Sequence, residues 1–127
     1  MKALVIDDSR VMRRIVSGTL KGLGFETDEA ADGREALDRL EAGERYDLAT
    51  IDWNMPVMNG LDLVTAVRAN REWRDVTLMM ITTESEHGQI VRALAAGAHE
   101  YLIKPFTPDA LMEKLDLLGL LTAKEMS

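Results

Sequence analysis

Four short apolar runs punctuate the chain, at residues 3–6, 48–51, 78–81 and 101–103. Each ends on polar residues: Asp7-Asp8, Asp52, Thr82-Thr83 and Lys104-Pro105. Runs this short, bounded by loop residues, read as strands buried on both faces of a parallel sheet. Between them the apolar positions recur at helical spacing, so the pattern alternates strand and helix. Ligands of open α/β sheets sit beyond the carboxyl ends of the strands. One sheet edge is therefore expected to gather three carboxylates, a hydroxyl and an ammonium.

The remaining elements follow from local signals. Ser9 caps a helix carrying Val11, Met12, Ile15, Val16, Leu20 and Leu23, with Gly24 as its stop. Residues 25–30 form a less apolar, outer strand. Asp32-Gly33 opens a helix through Ala36, Leu37 and Leu40 that closes near Gly43. The loop 53–60 is broken by Pro56 and Asn59-Gly60, and a helix over 60–70 turns Leu61, Val64 and Val67 inward. A strand at 76–82 precedes a helix at 85–96, weakened by Gly88 and stopped at Gly97. After a strand at 100–103, Thr107-Pro108 starts a last helix with Leu111, Met112, Leu115 and Leu118 inward. Five β–α units imply an α/β, doubly wound, five-stranded parallel sheet with five helices on both faces.

At 127 residues the chain is one domain, expected over 1–121 with 122–127 as a flexible tail. It has no cysteine, which removes disulfides, thiol nucleophiles and thiolate zinc sites, and a cytoplasmic setting is expected. No apolar stretch suits membrane insertion, and the first strand reaches acid too early for a signal peptide. The formal charge of −7 argues against nucleic acid as a partner. Arg10, Arg13, Arg14 and Lys21 read as a solvated helix face.

Alone, Asp7-Asp8-Ser9 is also what a capped helix start looks like. Together, three carboxylates about 5 Å apart repel by about 3 kcal/mol per pair at an effective dielectric of about 20. A cation relieves that repulsion, and carboxylates without His or Cys favour Mg²⁺, with Mn²⁺ as an alternative. Neither His87 nor His99 falls at a strand end with the acids. A carboxylate beside such a metal can act as a nucleophile toward phosphorus. Phosphoryl transfer then needs in-line positioning and neutralised equatorial oxygens, which the metal, Lys104 and Thr82 can share. Pro105 holds Lys104 extended, and a cis bond there would aim its side chain back along the sheet edge.

These residues carry a resemblance. Val5-Ile6-Asp7-Asp8-Ser9, Ile51-Asp52-Trp53-Asn54-Met55-Pro56, Ile81-Thr82-Thr83 and Tyr101-Leu102-Ile103-Lys104-Pro105-Phe106 resemble the receiver domain of two-component response regulators. The likeness runs from about residue 2 to 120. Met12-Arg13-Arg14-Ile15-Val16, Leu23-Gly24-Phe25 and Asp52-Trp53-Asn54-Met55-Pro56 are similar to its single-domain chemotaxis members. The resemblance implies a flavodoxin-like strand order 2-1-3-4-5; a chemotaxis receiver is a standard example of that order. It implies Asp52 as the acceptor of phosphate from a sensor histidine kinase, with Mg²⁺ held by Asp8, Asp7, Asp52 and the Asn54 carbonyl. Thr82 and Lys104 would contact the phosphoryl group, and Tyr101 would change rotamer as Thr82 moves. Asn54 and Glu84 match positions that tune dephosphorylation.

The implied output is a population shift read by a downstream protein on the face of helix four, strand five and helix five, with a phosphatase as a further partner. Thr83 departs from the family's frequent smaller residue and bears on rates. Two alternatives stay open. A phosphorelay intermediate or phosphate sink would use the same chemistry without conformational output. A haloacid-dehalogenase-type phosphatase would need an acid where Asn54 stands.

Overall fold

The structure, a computed structural model, describes residues 1–83 and 87–121. The expected tail at 122–127 lies outside the described residues, as does the start expected for helix four. The strands are β1 (Lys2–Ile6), β2 (Glu26–Ala30), β3 (Leu48–Ile51), β4 (Thr77–Thr82) and β5 (Glu100–Ile103). The helices are α1 (Arg10–Gly22), α2 (Gly33–Glu41), α3 (Gly60–Ala69), α4 (His87–Ala96) and α5 (Pro108–Leu117). All strand pairs are parallel and the order is β2-β1-β3-β4-β5. The less apolar β2 is indeed an edge strand. Among the described residues no helix is long and apolar enough to cross a membrane.

Side chains of β1, β3 and β4 alternate between two cores. Leu4, Ile6, Ala49, Ile51, Leu78 and Met80 pack with α2 and α3 on one face. Ala3, Val5, Leu48, Met79 and Ile81 pack with α1 and α5 on the other. Both faces are covered, which is why these strands read as continuous apolar runs and not as alternating ones. Caps occur where the chain offers them: Ser9, Asp32, Asn59 and Thr107 each accept a hydrogen bond from a first-turn amide.

Three expectations change in detail. Val11 and Ile15 are exposed, because the buried stripe of α1 is narrower than its apolar stripe. In α3 the fully buried residues are Leu63, Val64 and Val67, while Leu61 is only half-buried. A short 3-10 turn at Arg71–Trp73, too brief to show a period, joins α3 to β4.

Candidate phosphoryl-transfer site

The strand register places the candidate residues. Ile6 pairs with Ile51, so Asp7 and Asp52 leave the sheet side by side. The ladder continues one step past each strand: Asp7 donates its amide to Ala30 O at 3.1 Å, and Asp52 to Ile6 O at 3.0 Å. Thr82 pairs with Ile103, and Lys104 donates its amide to Thr82 O at 2.8 Å. Lys104 then enters a cis peptide bond with Pro105.

One carboxylate oxygen from each of Asp7, Asp8 and Asp52 lies within 4.8 Å of the others. Asp7 and Asp52 are buried, whereas Asp8 is exposed at the rim. Asp7 is held at both oxygens: Oδ1 accepts from the Ser9 amide at 2.9 Å and Oδ2 from Lys104 Nζ at 2.7 Å. The same ammonium stands 3.5 Å from Asp52 Oδ1. Burial pushes the Asp52 carboxyl up to about 6; Lys104 opposes that rise, and the charges of Asp7 and Asp8 add to it. The carboxylate form still dominates at neutral pH.

Three negative groups against one ammonium leave an excess of negative charge. Opposite oxygens around Mg²⁺ stand about 4 Å apart, so this spread suits such an ion with only small adjustment or an intervening water. The donor set is all oxygen, as a hard cation requires.

The other expected residues take distinct places. Thr82 is buried and lines a small void with Trp53 and Tyr101. The side chain of Asn54 is exposed in the loop after Asp52. Thr83 is exposed and, with Met12, Ile15, Lys104, Pro105 and Phe106, lines a hollow of about 420 Å³ beside the acids. Glu84 lies outside the described residues.

Two local features shape the loop after β3. Gly60 donates its amide to Trp53 O at 2.9 Å, and a Cβ there would stand 2.6 Å from the Asp52 carbonyl oxygen. Only glycine lets α3 begin so close to the Asp52 backbone. Val57, 80% exposed, has φ 69°, a left-handed conformation that costs a β-branched residue about 1–2 kcal/mol.

Sequence reasoning missed Arg13, which it assigned to a solvated face. Its Nη1 donates to the Asp7 carbonyl at 2.7 Å and its Nε to Glu29 at 3.2 Å, tying the acidic turn to the edge strand. A basic residue one turn into a helix after two acids was the available signal.

Comparison with known proteins agrees with this geometry. The family described as the response regulator receiver domain matches residues 3–116. The chemotaxis protein CheY1 of Helicobacter pylori is 48% identical over 119 residues, covering 93% of this chain and 96% of that protein. The chemotaxis protein CheY homolog of Campylobacter jejuni is 49% identical over 121 residues, 94% of this chain and 93% of that one. Among solved structures, chemotaxis response regulator CheY4 of Vibrio cholerae superposes with a TM-score of 0.85 at 40% identity, covering 92% of this chain and 97% of that chain.

Proposed function

This chain belongs to the response regulator receiver family, and we propose that it is a phosphorylation-activated switch in chemotaxis-type signalling. The observation that supports this most directly is the meeting of Asp7, Asp8, Asp52 and Lys104 at one sheet edge. The donor is a phosphohistidine on a sensor kinase. A carboxylate oxygen of Asp52 attacks its phosphorus, the P–N bond breaks, and the imidazole leaves as Asp52 becomes an acyl phosphate. Magnesium, held by Asp8, Asp52, Asp7 and the Asn54 carbonyl, would neutralise phosphoryl oxygens. Lys104 moves its charge from Asp7 toward the incoming group, and the Thr82 hydroxyl binds a further oxygen.

Asp52 is only 8% exposed, so a donor must approach over the rim. The exposed Val11 and Ile15 and the hollow lined by Phe106 form the apolar side of that approach. Hydrolysis of the acyl phosphate resets the switch, with Asn54 and Glu84 tuning its rate. The output is read by a downstream protein on the α4–β5–α5 face, in the cytoplasm. Residues 1–121 constitute the receiver, and the chemistry is that of a regulator and not of a turnover enzyme.

The test is phosphorylation by a small acyl phosphate or a cognate kinase. Labelling should require Mg²⁺, give an acid-stable and base-labile product, and vanish in Asp52→Asn. Persistent labelling in that variant would move the nucleophile elsewhere. Lys104→Ala and Thr82→Ala should fold and retain some labelling while losing the difference in partner affinity between the two forms. A phosphorylated protein with no altered amide exchange on the output face would instead be a phosphate sink.

A further inference from the structure

Two unlike groups flank the ring of Tyr101. On its outer side, Lys114 Nζ reaches from α5 to 4.7 Å from the ring centroid. That ammonium is itself fixed, because it donates to Glu100 Oε1 at 3.0 Å. The same carboxylate oxygen accepts the Tyr101 amide at 3.0 Å, so Glu100 locks cation and ring backbone together. Lys114 and Glu100 are both partly buried, with side-chain exposures of 26% and 21%. The contact is therefore better shielded than a surface ion pair.

On the inner side, the ring joins Trp53, Met80, Thr82, Ile90 and Ala93 around a small void that Gln89 also lines. Gln89 Oε1 is buried there without a hydrogen-bond partner. Buried acceptors without a partner are rare, and this one can take an incoming donor. The Tyr101 hydroxyl, for its part, makes no hydrogen bond to a described residue. A Tyr101 hydroxyl carried into that void would meet a buried acceptor that has no other partner.

We propose that Gln89 and Lys114 are opposing positioning residues for Tyr101: Lys114, fixed by Glu100, grips the ring in the resting arrangement, and Gln89 Oε1 accepts the Tyr101 hydroxyl when the ring moves inward. This rests on the switch reading above and names what sets its resting bias. Phosphorylation draws Thr82 toward the phosphoryl group and enlarges the void, and the ring then exchanges a cation–π contact for a hydrogen bond. The resting population depends on the first contact and the activated population on the second.

The chain has two tyrosines, so 3-fluorotyrosine labelling gives two fluorine resonances, assigned with Tyr101→Phe. In the unmodified chain, acetyl phosphate with Mg²⁺ should shift the Tyr101 resonance, with Asp52 occupancy measured in each sample. Lys114→Met keeps length and apolar stem but loses the charge. Without phosphate it should move the resonance toward the phosphorylated position, raising the inner-to-outer ratio about two- to fivefold. Glu100→Gln should move it the same way by less. Gln89→Met should lower the inner population of the phosphorylated protein about three- to tenfold, and Gln89→Glu, which keeps an oxygen, should restore it. If phosphorylation shifts Tyr101 but Lys114→Met and Gln89→Met titrate like the unmodified chain, the opposing-grip model is wrong and the switch reading stands. If Tyr101 does not respond to phosphorylation at all, the switch reading fails and this inference falls with it.

Discussion

The two ends of the same sheet both gather acids, and they treat them in opposite ways. Toward the amino end, Asp28, at the middle of β2 and opposite Leu4, accepts the Tyr46 hydroxyl at 2.7 Å and faces Lys2 at 3.4 Å and Arg39 at 3.6 Å. The Tyr46 hydrogen bond lowers its pKa most, burial opposes this, and Lys2 and Arg39 assist. At the carboxyl end, burial and neighbouring acids raise Asp52 to about 6 despite Lys104. A cleft of about 460 Å³, larger than the 420 Å³ hollow beside the acids, lies at the amino end between Tyr46, Trp73, Glu44 and Asp75. Size therefore points away from the chemistry, and unmatched charge points toward it. Matched acids hold the fold, whereas unmatched acids store a demand for a cation or a phosphoryl group.

The sharpest way to break this contrast is Asp52→Asn, measured by denaturant unfolding in chelator. The folded chain keeps the Asp52 proton up to about pH 6, while the unfolded chain releases it near pH 4. In that window the folded state binds more protons, so stability falls as pH rises from about 4 to 6. The fall amounts to about 3 kcal/mol at most. Asp52→Asn should lack it and be more stable at pH 7, but not at pH 4. Superimposable profiles for the two proteins would mean that burial of Asp52 carries no penalty.

Asp8→Ala comes next. It should weaken Mg²⁺ binding, followed by Trp53 fluorescence with Trp73 replaced, by roughly tenfold or more, since even indirect metal partners are worth that much. An unchanged affinity would remove Asp8 from the metal site. At the amino end the sign reverses. Asp28→Asn should destabilise by about 1 kcal/mol after screening, because it discards a charged acceptor. The lowered Asp28 pKa means that its contribution is present above the unfolded value and lost as pH falls below it. A neutral or stabilising Asp28→Asn at pH 7 would place that acid in the same class as Asp52.

The smallest effect expected is at Val57. Val57→Gly should relieve left-handed strain and stabilise by up to about 1 kcal/mol in a thermal melt, offset in part by unfolded-chain entropy. Destabilisation would show that the strained loop has compensating contacts.

The strand ends were legible because each apolar run stops on the residue that the site uses. Asp7, Asp52, Thr82 and Lys104 needed only the parallel order to be brought together. That order came from resemblance, since five β–α units are compatible with several doubly wound sheets. Arg13 had only its place one turn into α1, after two acids, to mark it, and Arg68 was not legible at all. Arg68 donates to the carbonyls of Gly97 at 3.0 Å and Val76 at 2.6 Å, and burial lowers its pKa. Carbonyl targets leave no mark in a sequence, because every residue carries one. Likewise, helical period finds an apolar stripe but not which margin stays exposed, and so Val11 and Ile15 were not distinguished from Val16.

The Lys104–Asp7 contact spans 97 residues, and Lys104 comes with β5, the last strand and a sheet edge. A nascent chain contains Asp7 and Asp52 long before it contains Lys104. In a fold built on such distant contacts, assembly is slow and late contacts close last. Competence to carry a signal is therefore a property of the finished chain, and a chain still folding contributes silence, not noise, to the pathway.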